Sequence, residues 1–546
     1  MADFLTAEDR SALMSRVRSR GSAPELALEA ALAARGLKAE RHVERLPGRP
    51  DFVFERERLA VFVDGDLWHG GQWRRRGCAH LHEPFEGAER RGYWQRKVSG
   101  NIRRDLERTD ALLSSGWRVL RRWGSDLASD ADVQGVCDQV ERALAGTEKP
   151  APGWMTQIGR SADFFSGIGL MSRGVHAAGW RTVWANDYDA TKRRLFLHNA
   201  SALQRAGVED PAITLESRSI HDVGPKSVPG VGLIASCFPC TDLSLAGKAR
   251  GIEAGPQSSA YLRFVDILSR MGGKRPPFVI LENVLGLAHS HGGRDLGLCL
   301  ELLQNAGYRV DVLAMDAKRF VPQSRPRMFV VGIRREVEVG PLLSMVEATT
   351  PSTVRPALLA DFIAKRPDLD WAVRPMPEPP AASAVLLEDV LDAYDAESPA
   401  WWSDKRAAYF KSQAWDRHRA KVDEVVRERG VCHATAFRRM RDGKSTAELR
   451  FDGIAGCLRT PKGGSAKQML VRVTEGGWRV RYLSAAECAR LMGADGFRTD
   501  AEGVRETDAL FGFGDAVCVP AVRWVIEHHI NPVMAELLRG RLLVRS

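Results

Sequence analysis

The stretch Val231-Gly-Leu-Ile-Ala-Ser-Cys-Phe-Pro-Cys-Thr-Asp-Leu-Ser244 decides the architecture. Residues 231–235 are an uninterrupted apolar run, the pattern of a strand buried on both faces of a parallel sheet. Cys240 then falls in the loop past the strand's carboxyl end, the edge of an open α/β sheet at which ligands bind. Pro239 fixes its own φ and biases Phe238 toward an extended shape, so the thiol that follows is presented on a stiff turn. A proline-cysteine pair is weak by itself, because most cysteines are small core hydrophobes. Its neighbours carry the rest.

Upstream, Ala162-Asp-Phe-Phe-Ser-Gly-Ile-Gly-Leu170 reads as a strand, a glycine turn and a helix start. Such a turn lets backbone approach a cofactor and aims the helix N-terminus at it. Val183-Trp-Ala-Asn-Asp187 ends a second strand in an acid, where a βαβ unit holds ribose hydroxyls. Downstream, Phe278-Val-Ile-Leu-Glu-Asn-Val284 is an apolar strand that releases Glu282 at the same edge. A carboxyl leaving a buried strand there is set to have a raised pKa and donate a proton. The plain alternative is that Glu282 caps a following helix. Gln323-Ser-Arg-Pro-Arg327 sets Arg325 and Arg327 on a proline-stiffened loop, able to clamp a phosphate or a base carbonyl.

With Arg450-Phe-Asp-Gly-Ile-Ala-Gly-Cys-Leu-Arg-Thr460 and Gly514-Asp-Ala-Val517, these segments resemble cytosine-5 DNA methyltransferases over nearly all of residues 160–530, in the family's unpermuted order. The resemblance implies a Rossmann-like catalytic domain dependent on S-adenosylmethionine, over residues 159–335 and 515–546, with a smaller target-recognition region and adjoining late motifs over 336–514. It implies that the Cys240 thiolate adds to cytosine C6 while Glu282 protonates or hydrogen-bonds N3, which makes C5 able to take a methyl group. Arg325 and Arg327 would support the base and the thiolate. Neither face of the base is reachable in a duplex, so the cytosine must be flipped. By motif, Asp163, Phe164, Phe165, Gly167, Gly169, Asp187, Tyr188, Pro239, Asp515 and Val517 would surround the cofactor, with Asp187 on its ribose. Ser244 and Arg459 would touch DNA. Leu170, Ser219 and Asp515 depart from the family pattern around the cofactor. Between residues 334 and 449, basic residues interleave with aromatics, among them Trp401, Trp402, Lys411, Trp415, Arg417 and Arg419, which suits phosphate contacts and base-edge readout.

The first 150 residues read differently. Helices are expected over 7–18 and 24–35, the second with Ser22 as cap, Pro24 and Glu25 in its first turn and Gly36 as its stop. Strands follow over 51–54 and 59–63, then an irregular loop over 64–90, a helix over 93–115 and a strand over 117–123. Glu25, Asp51, Asp64 and Asp66 are candidates to converge on a divalent metal, as magnesium-dependent phosphodiester hydrolysis requires. The plain alternative has Glu25 at a helix N-terminus and Asp64 in a turn.

Leu46-Pro-Gly-Arg-Pro-Asp-Phe-Val-Phe54, Val61-Phe-Val-Asp-Gly-Asp-Leu-Trp-His69, Tyr93-Trp-Gln-Arg-Lys-Val-Ser-Gly-Asn-Ile-Arg-Arg-Asp105 and Gly116-Trp-Arg-Val-Leu120 resemble very short patch repair endonucleases over residues 8–125. That family has a restriction-endonuclease-like α/β fold and nicks DNA beside the T·G mismatch left when 5-methylcytosine deaminates. The resemblance implies Asp51 as metal ligand, His69 as general base or phosphate-polarising group and Glu25 as a supporting acid. Trp68 and Trp94 would be aromatic wedges in the base stack. The family commonly has Thr-His where this chain has Val63-Asp64; Asp64 is expected either as a second magnesium ligand or as a charge that repels the phosphate a histidine would have held. The family's structural zinc ligands are replaced by Asp66, Gly71, Trp73 and Trp117. A substitute set of Cys78, His80, His82 and Cys137 has poor zinc spacing.

At 546 residues the chain calls for two or three domains. A boundary belongs at Gly146-Thr-Glu-Lys-Pro-Ala-Pro-Gly-Trp154, giving a nuclease domain over 1–145 and a linker over 146–158. The net charge of +10 suits a polyanionic partner, here double-stranded DNA, with the excess lying mainly after residue 150. Nine scattered cysteines fit a reducing compartment, and no membrane span or signal peptide is expected. The location expected is cytoplasmic, in a prokaryote and beside the nucleoid, and no oligomer is predicted. The function expected is a site-specific cytosine-5 methyltransferase fused to an endonuclease that nicks T·G mismatches. The alternatives are a single-chain restriction-modification enzyme cutting unmethylated sites, and a methyltransferase whose first domain only binds DNA.

Overall fold

Three sheets organise the chain. The computed structural model describes residues 21–71, 73, 76–78, 81, 83–85, 87, 91–203, 212–239, 258–338, 348–395, 398–441, 443–460 and 467–545. The helix expected over 7–18, and His80, His82, Cys240 and Ser244, lie outside them.

The first helix, α1 (Ala23–Ala34), starts as expected, with the Ser22 hydroxyl accepting from the Glu25 amide. Strands β1 (Glu40–Arg41), β2 (Phe52–Phe54) and β3 (Leu59–Asp64) follow, then the 24-residue helix α2 (Arg91–Ser114), β4 (Arg118–Trp123) and α3 (Asp130–Leu144). The sheet runs β1-β2-β3-β4, with β3 and β4 parallel and the other pairs antiparallel. Its α1/α3 face is a small apolar core of residues such as Leu28, Val61, Val136 and Cys137. The two-residue strand β1 was not anticipated, since its Glu-Arg pair carries no apolar alternation.

The second sheet has seven strands: β5 (Arg160–Phe164), β6 (Arg181–Asn186), β7 (Thr214–Glu216), β8 (Leu233–Ser236), β9 (Phe278–Val284), β10 (Tyr308–Asp316) and β11 (Pro326–Arg334). They lie in the order β10-β11-β9-β8-β5-β6-β7, the last five mutually parallel, with β11 antiparallel to both of its neighbours, β9 and β10. After β5 the chain steps outward through β6 and β7, then returns to the other side of β5 for β8. That reversal makes the β5/β8 boundary the switch point at which open α/β sheets bind ligands.

A four-stranded antiparallel sheet, order β13-β12-β14-β15, is built from β12 (Val431–Arg441), β13 (Lys444–Arg450), β14 (Met469–Thr474) and β15 (Gly477–Tyr482). With the helices Asp404–Gln413 and Asp416–Arg429 it encloses its own core, including Trp402, Phe410, Val422 and Val471. The segment after β15 leaves this module, and Leu483, Ala485, Leu491 and Phe513 join the main core.

The two halves are not separated by a free linker. The last strand, β16 (Leu542–Leu543), pairs antiparallel with β4, so the carboxyl-terminal residues complete the N-terminal sheet as its fifth strand instead of serving only the second half of the chain. The expected linker is used in the same junction: the Ala151 amide donates to the Leu542 carbonyl at 2.8 Å, and Met155 and Ile158 are buried in the main core. That core continues from α2 (Ile102, Leu106) through Trp180 to the final helix Asn531–Leu537. The stretch Glu506–Leu537 is long and apolar enough by length and composition to cross a membrane, contrary to the expectation from sequence that no run is, yet most of its apolar window is buried against the rest of the chain.

Gly179 sits at a close approach of the two halves. Its φ is +97°, and a Cβ there would lie 2.7 Å from Arg103 Cγ and 3.0 Å from the Arg103 carbonyl on α2. Gly179→Ala adds left-handed strain to a clash with backbone, a destabilisation of about 2–3 kcal/mol. Because the core crosses the junction, thermal melting should show one transition, lowered by several degrees, with no early independent unfolding of either half.

Candidate active sites

Four strand ends meet at the carboxyl edge of the seven-stranded sheet: Phe165 after β5, Asp187 after β6, Cys237 after β8 and Glu282 near the end of β9. Between them opens a cavity of about 830 Å³, large enough for a nucleotide-sized ligand. Phe165 and Gly167 both have φ of +56°. A left-handed phenylalanine is the kind of backbone strain that collects at ligand sites. The Gly167 amide donates to Asp187 Oδ2 at 2.8 Å and the Asp189 amide to Oδ1 at 2.8 Å, and burial pushes the Asp187 carboxyl up.

Of the residues expected around the cofactor, Phe165, Gly167, Asp187, Tyr188, Pro239, Asp515 and Val517 line this cavity. Asp163, Phe164 and Gly169 are not among its lining residues. Asp163 is buried and accepts from Ser172 Oγ at 2.6 Å, Phe164 packs on Trp184 and Phe264, and Gly169 packs on Phe196. They stiffen the turn. Ser219, one of the departures, also lines the cavity, while Asp515, another, is paired with Lys192 Nζ at 2.7 Å. Burial disfavours the Lys192 charge, but Asp515 outweighs it and raises the amine. Lys192 gave no signal in the sequence, because its partner lies 323 residues away. A glycine turn and a fixed carboxylate at the switch point suit a nucleoside-type cofactor.

At the other end of the cavity, Glu282 faces Arg327, whose Nε lies 2.9 Å from Oε1. Burial raises the Glu282 carboxyl, against the pull of Arg327 and Arg325. Asn283 Nδ2 donates to the Phe238 carbonyl at 3.3 Å, tying the Phe238-Pro239 turn to β9. Cys237 also lines the cavity, and burial together with Glu282 pushes its thiol well up. Arg325 is buried and donates to the carbonyls of Leu458, at 2.8 Å, Gly514, at 3.1 Å, and Ala516. It therefore braces two late segments against the sheet at the cavity wall. Arg459 is exposed beside that seam.

In the N-terminal domain, the structure brings Glu25 and Asp51 together with His42, which the sequence reading missed: their ligand atoms lie within 4.8 Å of one another. His42 takes a φ of +51° between the two acids, 3.7 Å from each. Asp51 Oδ2 accepts from the Val63 amide at 2.8 Å. Burial pushes the Asp51 carboxyl up to about 7, against that bond, with Glu25 and Asp64 adding to the rise.

Asp64 does not join them. It is buried, and Arg121 grips both its oxygens, at 2.6 and 2.8 Å, with Arg539 at 3.1 Å. Asp64 instead lies with His69 and Asp105 in a second group whose ligand atoms are within 4.8 Å of one another, its two oxygens already paired with guanidiniums. Burial alone would raise this carboxyl, but Arg121 and Arg539 hold it below its ordinary value. His69 Nδ1 instead meets Asp105 Oδ2 at 2.7 Å. Asp66, the fourth candidate acid, accepts from Ser125. Trp68 and Trp94 do meet, with ring centroids 5.6 Å apart, and Phe85 stacks on Trp94 at 5.5 Å. The substitute zinc set does not assemble from its described members: Cys137 is in the α1/α3 core, whereas Cys78 packs against the main core. Trp73 and Trp117, at two former ligand positions, are buried there as apolar filling.

The family profile for C-5 cytosine-specific DNA methylase matches residues 159–531. That for DNA mismatch endonuclease Vsr matches residues 2–75. The type II nicking enzyme V.NmeDIP of Neisseria meningitidis serogroup C is 41% identical over 142 residues, which is 26% of this chain and 90% of that protein. The type II nicking enzyme V.HpaIIP of Haemophilus parainfluenzae is 33% identical over 143 residues, 26% of this chain and 95% of that protein. The type II methyltransferase M.Bsp6I of Bacillus sp. (strain RFL6) is 32% identical over 176 residues, 32% of this chain and 51% of that protein, so the match spans about half of that relative. A methylase profile over most of the chain and a nicking-enzyme relative matched almost end to end agree with the two sites just described: the chain belongs to the C-5 cytosine-specific DNA methylase family and carries, fused ahead of it, a domain of the DNA mismatch endonuclease Vsr family.

Proposed function

We propose that this protein methylates cytosine at C5 within a specific duplex site and nicks the T·G mismatch that arises there when 5-methylcytosine deaminates. The observation that carries the first half is one cavity with a nucleoside cradle at Gly167 and Asp187 and the pair Glu282–Arg327 at its other end. S-adenosylmethionine, when bound, supplies the methyl group. Phe165, Gly167, Asp187, Tyr188, Pro239, Asp515 and Val517 would hold it. Cys240, the residue after Pro239, adds its sulfur to C6 of a flipped cytosine, and Glu282 gives or shares a proton at N3. That makes C5 electron-rich. After methylation, loss of the C5 proton and departure of the thiolate restore the base.

In the nuclease domain, Asp51 and Glu25 supply hard oxygen donors for a divalent cation, magnesium by family resemblance, with His42 beside them. The bound cation would stabilise charge on the scissile phosphate. His69 has its Nδ1 engaged by Asp105, and among the described residues its Nε2 is left for a water or a phosphate oxygen. The Trp68, Trp94 and Phe85 group offers stacking surface to unpaired bases.

The test is a randomised-flank duplex library with matched C·G or mismatched T·G centres, incubated with the purified protein and magnesium, with cleaved ends read by sequencing. Nicks confined to T·G members are expected, and they would reveal the site. Cleavage of matched unmethylated members would replace the repair reading with restriction-modification, and absence of cleavage would leave a DNA-binding module.

A further inference from the structure

We propose that Arg539, delivered by the carboxyl-terminal segment, is a positioning residue of the N-terminal nuclease, holding the Asp105 carboxylate against His69. The inference rests on the reading of that domain as a nuclease. Asp64 on β3 and Asp105 on α2 are 4% and 2% exposed. Within ion-pair distance among the described residues, they face Arg121, His69 and Arg539. Arg121 alone cannot balance two buried carboxylates, and an unpaired buried charge is strongly destabilising. The second cation is Arg539, with Nη2 at 3.1 Å from Asp64 Oδ2 and 2.9 Å from Asp105 Oδ2. Its guanidinium lies over Trp123, 3.8 Å from the ring centroid.

Asp105 Oδ2 is also the oxygen that meets His69 Nδ1. One atom therefore couples a side chain from the far end of the chain to the candidate base. The placement is set by the backbone. The Gly540 amide donates to the Arg121 carbonyl at 2.9 Å, and β16 then pairs with β4. Arg545 closes the segment, reaching Asp110 Oδ1 and Ser114 Oγ on α2 at 2.8 and 2.7 Å. Asp64, the residue that departs from the nuclease family's pattern, is the added negative charge, and Arg539 supplies the matching positive one.

The test uses the full-length protein. Arg539→Met should lower nicking turnover on a T·G duplex about 10- to 100-fold, as loss of a supporting partner does elsewhere, leaving KM for the duplex and the methylation rate within about twofold. Arg539→Lys should keep most of the activity, and Asp64→Asn added to Arg539→Met should recover about tenfold by restoring charge balance. A second readout needs no nicking: the rate of acylation of His69 by diethylpyrocarbonate, followed by peptide mass spectrometry, should change several-fold in Arg539→Met and return toward the wild-type rate in the double variant. Unchanged nicking and unchanged acylation in Arg539→Met would overturn the proposal, as would a double variant no better than the single. A wild-type protein that cuts no duplex would instead remove the nuclease reading, and the acylation rates would still decide whether Arg539 holds His69.

Discussion

Glu282→Gln should cut methyl transfer about 10³-fold, the scale of a lost general acid, while leaving duplex binding and the fold intact. Glu282 is 6% exposed at the end of a central strand, so its backbone cannot drift, and glutamine fills the same volume. What is lost is the acidic proton. Burial raises the carboxyl above its ordinary value although Arg327 stands beside it. The acid form therefore persists to higher pH than an ordinary glutamate would allow, and its contribution to the rate falls as pH rises through that raised value. Glutamine cannot ionise, so a pH profile of single-turnover methylation on a hemimethylated duplex should lose this limb. Activity within tenfold of wild type, with the limb retained, would show that another group serves N3.

Asp51→Ala should abolish magnesium-dependent nicking, by about 10³-fold or more if the cation supplies several kcal/mol of charge stabilisation, with methylation unchanged. Asp51 is fixed by the Val63 amide and shares its cluster with Glu25 and His42. Its removal takes away an oxygen donor without touching the seven-stranded sheet. The comparison to make is Asp64→Ala, which would not report on the metal, because it frees Arg121 and Arg539 inside the domain and should lower the melting temperature as well. Unchanged nicking in Asp51→Ala would move the metal site elsewhere.

The strands that carry the methyltransferase chemistry were legible because each is a continuous apolar run whose last residues are polar: Val231 to Ala235 before Cys237, Phe278 to Leu281 before Glu282. A parallel strand buried on both faces can be written only in that way, and its chemistry must sit at the carboxyl end. The capping pattern of Ser22, Pro24 and Glu25 fixed the first described helix for the same local reason. His42 carried no signal because a single histidine in the irregular turn after a two-residue strand has no periodicity to mark it. Arg325, read as a support for base and thiolate, does line the cavity, and its three carbonyl partners on distant segments, which no local pattern announces, make it a brace as well.

The sequence by itself determined the two chemistries, their order along the chain and seven of the ten residues it placed around the cofactor, since these depend on short motifs and on burial periodicity within single elements. Only the tertiary structure decided that Asp64 serves Arg121 and Arg539, that Lys192 answers Asp515, and that the last residues of the chain complete the first sheet. Each of those joins residues tens to hundreds of positions apart. An ion pair or a two-residue edge strand leaves no periodicity behind, so its partner is fixed only when the backbone closes.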